Sequence, residues 1–292
     1  MRKSNYQGTK MNPTRFHHSQ LKFYLILLPI SLFMLLPVMF IVSEAFKPID
    51  ELFRFPPTFI VERPSLQNFR HIMRVASGTG VPMSRFLMNT ILVTIITVTL
   101  TIVLTGMTAY GLSKKRFMLQ PWLFRINQAA LMFVPTAVAI PRYLVIINSG
   151  LNNNFAAHIV PFLAIPVGLF LVKQFIDTSV PDALLEAARI DGAGELMLIF
   201  KIVFPLIKPA LAMVTILTFQ TVWGATESSF MFVEDDTLRT FAFYLGTLAV
   251  GGNPLMQGVG AAAGLIMFLP NLIIFIIMQS NVMSTMSHSG IK

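Results

Sequence analysis

Residues 86–113 read FLMNTILVTIITVTLTIVLTGMTAYGLS, and no side chain in this stretch carries a charge. A helix of about 20 consecutive apolar residues crosses the ~30 Å hydrocarbon core of a bilayer. The stretch meets that length without interruption, so it predicts a membrane-spanning helix.

Five further apolar stretches, on either side of the first, also have the length of a span. They cover residues 23–43, 126–149, 156–176, 206–226 and 259–279. Residues 241–250 are apolar but only about half a span long, and the turn-forming residues 251–254 follow them, which indicates an interfacial or re-entrant piece. The sequence therefore predicts an all-α polytopic membrane protein with about six transmembrane helices.

The composition indicates the same class of protein. The chain is 54% hydrophobic and 12% charged, whereas soluble domains carry about 25% charged residues. Too few charges remain to coat a water-exposed globule, so the apolar surface must face lipid. The absence of cysteine excludes disulfides, thiolate metal sites and cysteine nucleophiles, and no metal site is predicted. The basic residues behind the net charge of +9 are scattered between apolar runs, which argues against nucleic-acid binding.

The distribution of basic residues predicts the orientation. Residues 1–22 and the links after the second and fourth spans are rich in lysine and arginine, so the positive-inside rule places them in the cytoplasm. The long first loop, residues 44–85, is also basic, but charges in long loops constrain orientation less. We predict a cytoplasmic tail over residues 1–22, a single transmembrane domain over 23–280 and a second cytoplasmic tail over 281–292.

One predicted cytoplasmic link is too charged to span a membrane. Residues 181–209 read PDALLEAARIDGAGELMLIFKIVFPLIKP. Pro181 is well placed to begin a helix whose apolar face includes Leu184, Leu185, Ala187 and Ala188. The glycines at 192 and 194 suit a turn, a second short helix fits residues 195–203, and the prolines at 205 and 209 would end or kink it. This pattern predicts a helix-turn-helix elbow that could transmit force to a soluble partner, although a simple interfacial connector remains the alternative.

The spacing of six residues within this link resembles a family signature. Glu186-Ala187-Ala188 is followed after three residues by Gly192, after nine more by Ile202, and then by Phe204-Pro205. This is similar to the EAA signature of binding-protein-dependent ABC importer permeases, with phenylalanine in place of the usual leucine. In that family the elbow is a coupling helix that docks on an ATPase subunit. The resemblance implies that Glu186, Ala187, Ala188 and Gly192 are the ATPase-coupling residues.

Three weaker motifs resemble the carbohydrate (maltose-type) group of these permeases, and its shorter permease subunit in particular. They are AYGLSKKRF at residues 109–117, IPRY at 140–143 and SGIK at 289–292. One departure is Trp223-Gly224-Ala225, where many members carry Trp-Asn-Asp.

The resemblance implies a set of partners in a prokaryotic cell membrane. They are a second homologous permease, two ATPase subunits, an extracellular solute-binding protein and a carbohydrate substrate, with an oligosaccharide favoured. The sequence has no G-x-x-x-x-G-K-[ST] loop and no serine, zinc or carboxylate-pair motif. We therefore expect a transport subunit that is not an enzyme, with no cofactor of its own and with ATP bound by a partner chain.

Four residues within the predicted spans are candidates for the substrate pathway, because polar groups are costly in hydrocarbon. They are Arg142, Gln220, Trp223 and Glu227. Trp223 and Glu227 are four apart and would share one helix face, where an aromatic ring beside a carboxylate suits sugar binding. The alternatives are an interfacial tryptophan belt, snorkelling or an inter-subunit pair for Arg142, and helix–helix hydrogen bonding for Gln220.

Two other classes of membrane protein are alternatives to the importer. A secondary, ion-coupled transporter usually needs an intramembrane ion relay and an internal repeat, and only Arg142 and Glu227 are charged within the spans. A lipid-modifying enzyme needs catalytic groups clustered at one interface, and the sequence shows no such cluster.

Overall fold

The computed structural model describes residues 21–56, 58–77, 80–249 and 256–289. Helices connected by turns account for this part of the chain, and it contains no strand. The α-helices are α1 (Leu21–Phe46), α2 (Ile49–Leu52), α3 (Gln67–Ser77), α4 (Met83–Lys114), α5 (Gln120–Ala130), α6 (Ala139–Asn148), α7 (Val160–Leu163), α8 (Pro166–Ser179), α9 (Asp182–Ile190), α10 (Glu195–Met197), α11 (Phe204–Leu206), α12 (Lys208–Trp223), α13 (Glu227–Met231), α14 (Phe241–Ala249) and α15 (Gln257–Ser289). The predicted all-α membrane fold is confirmed.

Three helices are long and apolar enough to cross a membrane unbroken: α1, α4 and the part of α15 up to Gln279. They correspond to the first, second and sixth predicted spans. The side chains of α1 are almost all exposed on the chain, as expected of a lipid-facing helix. Helix α15 continues to Ser289, so it runs into the segment predicted as the C-terminal tail.

Two other spans are bent. The 3₁₀ turn Phe155–His158 and α7 meet α8 at 44°. Residues Glu195–Leu206, the second arm of the elbow, meet α12 at 84°. Pro166 explains the first bend, because a residue before proline avoids the helical region and Ile165 is accordingly not helical (φ −121°, ψ 87°). Pro205 and Pro209 explain the second, since each removes a helical N–H around Ile207.

The third predicted span was wrong as a single helix over residues 126–149. It consists of α5 and α6, and residues 131–138 between them form turns. Pro135 lies in this segment, where it removes a helical N–H and disfavours the helical conformation of Val134. The length and hydrophobicity of the stretch gave no sign of the break.

Helix α4 is the central element of the bundle and packs along both α8 and α12. A buried line of threonines runs along it: Thr90, Thr94, Thr97, Thr101 and Thr105. Small side chains of this kind let neighbouring helices approach closely within a membrane.

Several predicted features lie outside the described residues. They are most of the basic N-terminal tail (residues 1–20), the turn at 251–254 and the last three residues, Gly290–Lys292. Within the described part, the predicted half-span is present as the helix α14.

We expect the close approach of α4 to the elbow to depend on Gly106. A Cβ atom at this position would lie 2.6 Å from Cε1 and Cζ of Phe204, whereas a Cβ atom at Gly111, on the same helix, would meet nothing within 4 Å. Gly106→Val should therefore lower the free energy of unfolding by about 1–3 kcal/mol through overpacking. Thermal unfolding in detergent, followed by tryptophan fluorescence, should show a lower midpoint for Gly106→Val and little change for the control Gly111→Val. Equal midpoints would contradict the contact.

Candidate functional site

The predicted elbow is present, and its turn is built on Gly192. Helix α9 follows Pro181 and ends at Ile190, and Gly192 has φ +84°. The N–H of Ala193 donates to the carbonyl of Ala188 at 2.9 Å, and the N–H of Gly192 donates to that of Arg189 at 3.0 Å. These two bonds define a Schellman helix end, in which a residue with positive φ is nearly always glycine.

The four predicted coupling residues divide between the two sides of this elbow. Ala188 packs against the buried cluster that contains Leu185 and Leu198. Glu186 and Ala187 are exposed, as is Gly192 at the turn. The predicted apolar face was therefore too wide, because Leu184 and Ala187 point away from the core.

An apolar surface is exposed on the same elbow. Ile190 is 86% exposed at the end of α9, and Leu196 and Met197 are exposed at the start of the second arm. The second arm continues as a π-helical turn, Leu198–Val203, before Pro205 and the sharp bend at Ile207. The carboxylate of Glu186 is exposed on the same elbow as these apolar side chains. A mixed surface of this kind is suited to contact with another protein.

Hydrogen bonds that sequence reasoning missed link the elbow to the end of α4. Glu195 accepts hydrogen bonds from Tyr110 Oη at 2.9 Å, Lys115 Nζ at 2.5 Å and Arg189 Nε at 3.3 Å. The bond from Lys115 is the largest cause of the lowered pKa of the Glu195 carboxyl. Lys114 Nζ donates to Asp182 at 2.7 Å and lowers the pKa of that carboxyl in the same way. The two adjacent lysines after the second span were the signal in the sequence for a contact with acidic residues of the elbow.

Two of the four candidate pathway residues meet directly. Arg142 on α6 donates to the carboxylate of Glu227 at the start of α13, and both side chains are partly exposed. Gln220 is exposed on α12, and its amide makes no hydrogen bond within the described residues. Arg142 thus forms an ion pair within the chain, and its place in the substrate pathway stays a prediction.

The predicted pairing of Trp223 with Glu227 on one helix face was wrong. Helix α12 ends at Trp223, residues 224–226 intervene, and α13 begins at Glu227. Trp223 is 6% exposed, stacks on Phe219 and donates its indole N–H to the carbonyl of Met267 at 3.1 Å. In the chain by itself, this ring packs against α15.

The break in the third predicted span is exposed on this chain. Residues 131–137 are all exposed, and the side chain of Met132 is 85% exposed. Non-helical backbone is tolerated at membrane depth only when protein covers it or when it lines a water-filled cavity.

Other polar groups of the spans hold the segment after α13 in place. His158 Nε2 donates to the carbonyl of Leu238 at 3.0 Å, and Ser228 lies 2.8 Å from its Nδ1. The amide of Asn89 donates to the carbonyls of Thr237 and Arg239. These contacts are structural, and no cluster of potential metal ligands occurs in the described part of the chain.

Comparisons with known proteins match nearly the whole chain. Residues 23–282 match the family described as "Binding-protein-dependent transport system inner membrane component". The melibiose/raffinose/stachyose import permease protein of Bacillus subtilis is 30% identical over 206 residues, which cover 70% of this chain and 74% of that protein. The arabinooligosaccharides transport system permease protein of Halalkalibacterium halodurans is 26% identical over 258 residues, which cover 88% of this chain and 90% of that protein.

A solved structure shares the fold. It is a chain of a bacterial ABC transporter involved in the import of the acidic polysaccharide alginate, with a TM-score of 0.78 and 22% sequence identity. The match covers 91% of this chain and 98% of the other. With the family match over residues 23–282, these similarities establish that the chain belongs to the binding-protein-dependent transport system inner membrane components, the permease subunits of ABC importers.

Proposed function

We propose that this chain is one of two homologous permease subunits of an importer that carries a carbohydrate across a prokaryotic cell membrane. The observation that carries the proposal is the elbow. Its helix α9 exposes Glu186 and Ala187 on one side, packs on buried side chains on the other and ends in the turn at Gly192. The names of the two curated relatives favour an oligosaccharide as the substrate. Delivery by an extracellular solute-binding protein follows from the family.

In this proposal the elbow docks on one of two separate ATPase subunits, which bind and hydrolyse the ATP. Glu186 offers a carboxylate for a charge-assisted contact, Ala187 allows close approach, and Ile190 adds exposed apolar area. Ala188, which packs against the buried cluster, and Gly192, which forms the turn, set the shape of the docking surface. The elbow and both termini then lie in the cytoplasm, as the basic flanking residues predict.

The second permease would complete the pathway along the broken third span. Exposed backbone at membrane depth requires hydrogen-bond partners or a protein cover. The second subunit, or water in the pathway between the two subunits, would supply them. Arg142, Glu227 and Gln220 then offer hydrogen bonds to sugar hydroxyls, and Trp223 shapes the wall behind them.

Purification of the complex tests the proposal directly. A tagged chain extracted in detergent from its native host should bring down a second permease and an ATPase. ATP hydrolysis by the purified complex should rise when a sugar-loaded binding protein is added, because loading signals that substrate is present. A chain that purifies without an ATPase and still transports solute in liposomes would favour the secondary transporter instead.

We expect Gly192→Ala to reduce transport. A positive φ costs an L-residue about 1–2 kcal/mol, and a Cβ atom at this position meets nothing within 4 Å, so the effect is confined to the turn. Uptake of labelled sugar should fall about fivefold at equal membrane abundance. Gly194→Ala is the matched control, because Gly194 has φ −72° and the same open surroundings. Wild-type uptake by Gly192→Ala would contradict the coupling role of the turn.

We expect Glu227→Gln to change transport through its pairing with Arg142. Loss of the carboxylate charge leaves the guanidinium without its ion-pair partner within the described residues, so substrate affinity or turnover should change about threefold or more. Uptake kinetics should be measured for Glu227→Gln, Arg142→Gln and the double variant, which should be no worse than either single one if the pair acts as a unit. Unchanged affinity and turnover in all three would remove both residues from the pathway.

A further inference from the structure

The elbow reaches α4 only through non-covalent contacts. It is covalently continuous with α8 before it and with α12 after it, whereas α4 lies far away in sequence. Ala109 and Tyr110 of α4 nevertheless share one buried cluster with Leu185 and Leu198 of the elbow. Helix α4 also packs along both α8 and α12. A motion of the elbow that leaves α4 behind would therefore separate the side chains of this buried cluster.

Two successive lysines at the end of α4 bind the beginning of each arm of the elbow. Lys114 Nζ donates to the carbonyl of Val180 at 2.6 Å and to Asp182 at 2.7 Å, where α9 begins. Lys115 Nζ donates to Glu195 at 2.5 Å, where the second arm begins. One helix end thus grips the elbow on both sides of its turn.

Glu195 is the centre of the contact between the end of α4 and the second arm. Its carboxylate accepts from Tyr110 of α4, from Lys115 directly after α4 and from Arg189 of α9. Arg189 also donates to Tyr110 Oη at 3.2 Å. One acid therefore joins α4 to both arms of the elbow. Single exposed ion pairs contribute little, and the Lys115–Glu195 pair is exposed on both sides. The bonds of Tyr110 to Glu195 and of Lys114 to the carbonyl of Val180 are partly shielded from water, because Tyr110 is buried and the Lys114 side chain is only 9% exposed.

We propose that these residues form a clamp that makes the elbow and the cytoplasmic end of α4 move as one body during the transport cycle. The clamp consists of Tyr110, Lys114, Lys115, Asp182, Arg189 and Glu195. They are positioning residues, because they hold the docking surface and need not touch the ATPase or the sugar. This inference rests on the proposed coupling function of the elbow.

The first test measures coupling with Glu195→Gln and Lys115→Gln in the purified, reconstituted complex. ATP hydrolysis and the apparent affinity for sugar should stay close to wild type, and the sugar carried per ATP should fall about threefold to tenfold. The double variant should be no worse than Glu195→Gln alone. Lys201→Gln is the matched control, because Lys201 is an exposed elbow lysine that makes no hydrogen bond or ion pair within the described residues. An unchanged ratio of sugar to ATP in Glu195→Gln would overturn the clamp.

The second test restores the clamp by a covalent bond. Because the chain has no cysteine, Lys115→Cys with Glu195→Cys introduces the only two thiols of this chain. Joining them with a short bifunctional thiol reagent should raise the sugar carried per ATP above that of the unjoined double variant. If joining lowers or abolishes transport, the elbow must move relative to α4 and the clamp is wrong.

Amide hydrogen exchange separates this proposal from the proposed function. In Glu195→Gln the amides of α9 should exchange faster than in wild type, whether or not an ATPase is bound, and Lys201→Gln should leave them unchanged. Faster exchange in a chain that never binds an ATPase would uphold the clamp and reject the importer. Unchanged exchange beside normal ATPase binding would reject the clamp alone.

Discussion

Hydrocarbon offers no hydrogen-bond partner to a peptide group, and this shortage shapes the whole chain. Where the backbone is helical, it supplies its own partners, so α1, α4 and α15 need only apolar side chains to cross the membrane. Where proline removes a donor, something else must cover the freed groups. At the bend before α8 the cover comes from within the chain, because the carbonyl of Phe162, which Pro166 leaves without a helical N–H, accepts from the hydroxyl of Thr101 on α4 at 3.5 Å. At residues 131–137 the chain leaves the break exposed, which is the physical reason to expect a second subunit there.

Four interruptions of helices coincide with features of the proposed transport cycle. The break in the third span lies on the membrane face assigned to the pathway, and the break between α12 and α13 frees Glu227 from the helix so that its carboxylate can meet Arg142. The 84° bend at Ile207 and the turn at Gly192 give the elbow its shape. Unbroken helices anchor the chain in the membrane, whereas the interruptions position the polar side chains and the elbow.

The sequence was most informative where one local rule decides the structure. Length and hydrophobicity predicted α1, α4 and α15, and the glycine and proline pattern predicted the elbow with its turn at Gly192. It failed where two rules compete within one stretch: residues 126–149 are apolar enough to span, but Pro135 breaks the helix there. The spacing of Trp223 and Glu227 misled for the same reason, because helix periodicity holds only while the helix continues. Contacts between distant segments, such as that of Tyr110 with Glu195, carry no local signal.

The lysines at the end of α4 show that one pair of charges can satisfy two separate demands. As cations beside a span, Lys114 and Lys115 contribute to the charge bias that predicts a cytoplasmic location. As hydrogen-bond donors, they reach the carboxylates of Asp182 and Glu195, the first residues of the two arms of the elbow. Those acids could pair with lysine only if both segments emerge on the same side of the membrane, so the correct topology is a condition for the contact. The same two lysines thus contribute both to the charge bias that predicts the orientation and to the contacts that link α4 to the elbow.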